Sequence, residues 1–122
     1  MAKTIFCVDD SPSIRMLVRK TLEPEGYKIR EANNGKEALE ALSADSEADM
    51  FIVDVNMPVM GGFEFVTELK GGSGHQNTPA VFLTTESGDE KKNIGKELGV
   101  KGWIVKPFEG AQLVKIVGIL TA

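Results

Sequence analysis

Short apolar runs and helically spaced apolar residues alternate along the whole chain. Thr4-Ile5-Phe6-Cys7-Val8 is the first run, and it halts at Asp9. Ser11-Pro12 then marks a helix start, with Ser as the cap and Pro at the first helical position. Ile14, Leu17, Val18 and Leu22 follow at helical spacing, until Pro24 and Gly26 end the helix. Tyr27 to Ala32 alternates like an outer strand. Asn33-Asn34-Gly35 turns the chain into a second helix with Ala38, Leu39 and Leu42 inward. Met50-Phe51-Ile52-Val53 is continuously apolar, as a central parallel strand covered on both faces should be, and it ends at Asp54. A third helix is predicted from about Gly62 to Lys70, followed by a flexible break at Gly71-Gly72-Ser73-Gly74. Ala80-Val81-Phe82-Leu83 gives the fourth strand, ending at Thr84. A weak helix covers about Asp89 to Leu98. Gly102-Trp103-Ile104-Val105 gives the fifth strand, ending at Lys106, and a last helix carries Leu113, Ile116, Val117 and Leu120. Five strand-helix units in this order predict an α/β domain over residues 1–122, with a doubly wound five-stranded parallel sheet and five helices.

The polar residues that stop these strands carry the candidate chemistry. They are Asp9 and Asp10, Asp54, Thr84 and Lys106. In an open parallel sheet the ligand site lies beyond the carboxyl ends of the strands, at the switch point of strand order. These side chains, distant in sequence, are therefore expected to converge. Carboxylates gathered so closely repel one another, and a metal ion or raised pKa values must relieve that. An all-oxygen donor set favours a hard cation, Mg²⁺, with Mn²⁺ able to substitute. Asp54 can act as a carboxylate nucleophile toward phosphorus. Phosphoryl transfer needs mainly alignment and neutralisation of the equatorial oxygens, a task for the cation, the Lys106 ammonium and the Thr84 hydroxyl. Turn-forming acids at strand ends would account for any one of these residues, but poorly for the whole set.

Composition narrows the function classes. The 122 residues suit one domain, and 42% hydrophobic with 26% charged content suits a globular chain. No apolar run is long enough to span a bilayer, and MAKTIFCVDD lacks a signal core, so a cytoplasmic location without membrane attachment is expected. A single cysteine fits a reducing compartment. A net charge of −4 gives no basis for nucleic-acid binding, and Lys91-Lys92 reads as a solvated helix face. Cys7 reads as a small core residue. His75, among Gly, Gln and Asn, reads as an exposed loop residue.

The pieces Val8-Asp9-Asp10-Ser11, Asp54 to Gly62 (DVNMPVMGG), Thr84-Thr85-Glu86 and Lys106-Pro107-Phe108 resemble the response-regulator receiver family, and look most like its stand-alone, CheY-like members. They extend over almost the whole chain in the family's order. The resemblance implies a two-component signalling protein, not an enzyme acting on an external substrate, that catalyses only its own phosphorylation and dephosphorylation. Asp54 would accept a phosphoryl group from a sensor histidine kinase or from small acyl phosphates. Asp10, Asp54 and the backbone carbonyl of Asn56 would hold Mg²⁺, with Asp9 acting through metal-bound water. Thr84 and Lys106 would bind phosphoryl oxygens, and the Lys106-Pro107 bond would be cis. Asn56 and Glu86 match positions that influence phosphoryl lifetime by positioning or blocking water; exposed loop residues of little effect is the other reading.

Output would pass through protein contacts on the face formed by the fourth helix, fifth strand and fifth helix, since no output domain is expected after Ala122. Chemotaxis or motility is one role of such proteins. The downstream protein, and the choice between a monomer and a phosphorylation-dependent dimer, stay open. Trp103 stands where the family commonly has Tyr or Phe as the switch aromatic. The indole does not fit the same inward pocket without rearrangement; it either swings between exposed and buried positions or stays outside as a contact. Phe108 is either a partner contact or packing for the last helix. Gly88 and Gly95 predict a fourth helix of low local stability, since an interior Gly costs about 0.5–1 kcal/mol relative to Ala. An FMN binder is disfavoured because Asp9-Asp10 would repel phosphate without a metal. An aspartate-based phosphatase would need Asp-x-Asp after its first strand. A degenerate receiver serving only as a docking surface would be expected to lack one of the five residues.

Overall fold

The computed structural model describes residues 2–72 and 74–122. Ser73 of the expected flexible break lies outside the described residues. The strands are β1 (Thr4–Val8), β2 (Lys28–Ala32), β3 (Met50–Val53), β4 (Ala80–Thr84) and β5 (Gly102–Val105). The helices are α1 (Pro12–Leu22), α2 (Gly35–Ala44), α3 (Gly62–Lys70), α4 (Asp89–Glu97) and α5 (Gly110–Thr121). All strand pairs are parallel, and the order is β2-β1-β3-β4-β5. The chain thus reverses its winding direction between β1 and β3, which creates the crevice where such sheets bind ligands.

Alternation along the strands divides the core into two layers. Phe6, Val8, Phe51, Val53, Ala80 and Phe82 face α2 and α3. Ile5, Cys7, Met50, Ile52, Val81, Leu83 and Ile104 face α1 and α5. β1, β3 and β4 are buried on both faces, whereas β2 is a partly exposed edge. Ser11 caps α1 as expected, its hydroxyl accepting from the Ile14 N–H at 3.3 Å, and Asn34 caps α2 through the Glu37 N–H at 2.9 Å. The α1 helix gives way at Glu23–Glu25 to a single 3₁₀ turn closed by Gly26 at φ 96°.

One expectation needs correction. His75 is not an exposed loop residue: it is 7% exposed, standing edge-to-face on Phe51 with ring centroids 5.2 Å apart. Its Nε2 lies 2.8 Å from the Ser46 carbonyl oxygen and its Nδ1 lies 2.8 Å from Thr78 Oγ1. Since a carbonyl only accepts, Nε2 carries the proton. Polar sequence neighbours signalled exposure, but the segment before β4 folds beneath the sheet. Gly95 of α4 has a packing role that the sequence did not show. A Cβ there would approach Trp103 Cζ3 to 3.2 Å, so the missing side chain makes room for the indole. Gly95 is also the one buried residue of α4, and Gly88 gives that helix no side-chain cap.

The exposed edge is braced by charge. Glu31 of β2 accepts from Arg15 Nε at 2.9 Å and from Arg19 Nη2 at 2.6 Å. Partial burial pushes the Glu31 pKa up, but the two guanidinium groups outweigh it and hold it below the ordinary 4.5. A depressed carboxylate contributes stability above its unfolded pKa and loses it as pH falls through the folded one. Glu31→Gln should therefore lower Tm at pH 7. The deficit should shrink as thermal melts are repeated below pH 4.5.

Candidate functional site

The sheet delivers the strand-end residues to one place through ladder bonds that continue past the strands. The Asp9 N–H donates to the Ala32 carbonyl at 3.1 Å, Asp54 N–H to Val8 at 2.9 Å, and Lys106 N–H to Thr84 at 2.8 Å. Asp9, Asp10 and Asp54 each bring one carboxylate oxygen within 4.8 Å of the others. Asp9 and Asp54 are buried, at 2% and 8% exposure, while Asp10 is open to solvent. The cluster has one buried rim and one open mouth. The oxygens suit a hard divalent cation in both number and kind.

Lys106 reaches in from β5 and donates to Asp9 Oδ2 at 2.8 Å and to Asp54 Oδ2 at 3.3 Å. Burial would depress the ammonium, but the two carboxylates overcome this and raise its pKa above the ordinary 10.5. Burial raises the pKa of Asp9, assisted by the Asp54 charge and opposed by Lys106 and the Ser11 N–H. Three carboxylates gather here and one ammonium pairs with two of them, so the cluster is only partly neutralised by Lys106. The Lys106-Pro107 bond is cis.

Thr84 ends β4 fully buried, and its hydroxyl accepts from the Glu86 N–H at 3.2 Å. Asn56 and Glu86, each two residues beyond a strand-end residue, meet across the mouth: Asn56 Nδ2 donates to Glu86 Oε1 at 2.7 Å. Trp103 is half-buried beside Phe82 and Phe63, with centroids 5.4 and 6.4 Å away, and its Nε1 donates to the Glu86 carbonyl at 2.8 Å. The indole is therefore tied to the loop that follows Thr84. Phe108 does not join this group. It packs, half-buried, with the α1 and α5 layer on the other face of the sheet.

Several participants were not legible as site residues. Arg15 Nη1 donates to the Asp9 carbonyl at 2.6 Å while its Nε pairs with Glu31, which pins the acidic turn to β2. The four-residue spacing of Arg15 and Arg19 on α1 was the available signal. Gly62 opens α3 against the site: a Cβ there would run into the Asp54 carbonyl oxygen and come within 2.9 Å of Phe82. Its own N–H donates to Val55 at 2.8 Å. Cys7 lies wholly inside the sheet, where burial raises its thiol pKa far above the ordinary range.

The response regulator receiver domain family model matches residues 5–118. The chain is 36% identical over 105 residues to the chemotaxis protein CheY1 of Helicobacter pylori, covering 85% of each. It is 34% identical over 114 residues to the sensor histidine kinase CheAY of the same organism, spanning 93% of this chain but only 14% of that one. Its fold is similar to that of the chemotaxis protein CheY4 of Vibrio cholerae, at TM-score 0.91 and 43% identity, covering 98% of this chain and 99% of the other.

Two substitutions probe the geometry. Gly62→Ala should cost about 1–3 kcal/mol in denaturant melts, because backbone on one side and a core ring on the other block relief. Gly95→Ala should shift Trp103 emission to the red as the indole tilts outward. Its stability should change by less than about 1 kcal/mol, since better helix propensity offsets the crowding.

Proposed function

The chain belongs to the response regulator receiver domain family, and on that premise we propose that it accepts a phosphoryl group on Asp54 from a sensor histidine kinase and thereby switches a protein-binding surface. The observation that carries this reading is the convergence of Asp9, Asp10 and Asp54 within 4.8 Å, with Lys106 bonded to two of them.

The Asp54 carboxylate attacks phosphorus as the donor's P–N bond breaks, and the electron pair returns to the donor imidazole. Lys106 then exchanges its bond to Asp54 for one to a phosphoryl oxygen, keeping Asp9 as counter-ion. The Thr84 hydroxyl, whose proton is not used by the Glu86 N–H, donates to a second oxygen. A hard divalent cation, Mg²⁺, held by Asp9, Asp10, Asp54 and the Asn56 carbonyl, would neutralise the acidic cluster and the incoming phosphoryl charge. Water attacking phosphorus later returns the free carboxylate and releases inorganic phosphate. A shift of Thr84 toward the phosphoryl group pulls on the Glu86 backbone and so on the Trp103 indole. That transmits occupancy of the site to the face of α4, β5 and α5, where a downstream protein docks. Ile94 and Val105 on this face are 37% and 39% exposed. The CheY-named relatives favour a chemotaxis pathway in a bacterial cytoplasm. No helix among the described residues is long and apolar enough to cross a membrane.

Fluoroberyllate, a phosphoryl mimic, tests this directly. Titrated with Mg²⁺ present, it should change Trp103 emission saturably, and the change should vanish without Mg²⁺ or in Asp54→Asn. NMR shifts around Asp54 with unmoved emission would retain the phosphoacceptor and reject the Trp103 coupling. No response by either method would favour a docking module.

A further inference from the structure

The Asn56 and Glu86 side chains do not meet alone. Lys91, in the first turn of α4, donates to the same carboxylate oxygen, Glu86 Oε1, at 3.2 Å. That oxygen therefore receives Asn56 at 2.7 Å from the loop after β3 and Lys91 from α4. The rest of Glu86 is also fixed. Its N–H is on Thr84 and its carbonyl is on Trp103 Nε1. A glutamate on an open loop would ordinarily sample several rotamers, and here the ammonium selects the one that reaches Asn56. β3 and β4 are neighbours, so this chain of contacts crosses the gap between the loops that follow Asp54 and Thr84.

We propose that Lys91 is a positioning residue for the phosphoryl site: by holding Glu86 against Asn56 it closes the side between these two loops to water, so that the seating of α4 sets how long the phosphoryl group survives. The inference rests on Asp54 being the phosphoacceptor. It gives α4 a second role besides docking. A downstream protein that draws Lys91 into its own contacts releases Glu86, frees the Asn56 amide and shortens the signal. Because α4 buries only Gly95, its seating is easily moved. The ion pair is partly exposed, at 41% and 31% for the two side chains, so the effect is modest.

The experiment labels the chain with an acyl phosphate in Mg²⁺, removes the donor, and follows loss of the phosphoryl group. Lys91→Ala should lose it about two- to fivefold faster than the unaltered chain, the size expected of a partly exposed ion pair. Lys91→Arg should restore the slow rate, since it keeps the pair. In a Glu86→Ala background, Lys91→Ala should add nothing, which a general loosening of the fold would not reproduce. An unchanged or slower loss in Lys91→Ala overturns the proposal, as does an equal acceleration with Glu86 already removed. An unaltered chain that takes up no label sinks the phosphoacceptor reading itself, and this proposal with it.

Discussion

The pairing of one ammonium with two buried carboxylates at the carboxyl end of the sheet is the constraint on which the site depends. Lys106 bonds Asp9 and Asp54 together, although mutual repulsion should drive them apart. Neither carboxylate could be placed there by side-chain preference alone. Each sits where its own N–H donates a ladder hydrogen bond to the neighbouring strand and fixes its backbone, so the cost of gathering the charge falls on the sheet as a whole. The fully buried faces of β1, β3 and β4 make that sheet rigid enough to carry it.

An incompletely compensated site is also a responsive one. Asp9 keeps a raised pKa, chiefly through burial and in part through the Asp54 charge, despite its lysine partner. The route outward is short. Thr84, the Glu86 backbone and Trp103 are linked by successive hydrogen bonds, and the indole rests in the gap left by Gly95. The helix beyond it buries only Gly95.

The two layers of the molecule divide these tasks. The α1 and α5 side, with Cys7, Val18, Leu83 and Leu113, is well packed and receives Phe108. The other side carries the aromatic series Phe63, Phe82 and Trp103, which leads from the core to α4. Arg15 bridges the stable layer to the site by holding the Asp9 carbonyl and the Glu31 carboxylate together.

The sequence by itself determined the five strand-helix units, the strand ends and the residues Asp9, Asp10, Asp54, Thr84 and Lys106, because period and punctuation are local properties. The same alternation predicts a doubly wound parallel sheet but is compatible with more than one strand order, so the order β2-β1-β3-β4-β5 came only with the tertiary structure. Tertiary structure alone decided what depends on distance between segments. It buried His75 under Phe51, although every sequence neighbour of that residue is polar or glycine. It made Gly95 the seat of Trp103, and sent Phe108 to the opposite layer. It also joined Lys91, Glu86 and Asn56 through one carboxylate oxygen. Such contacts leave no periodic trace, because the partners belong to different elements and loops whose relative placement is set by packing.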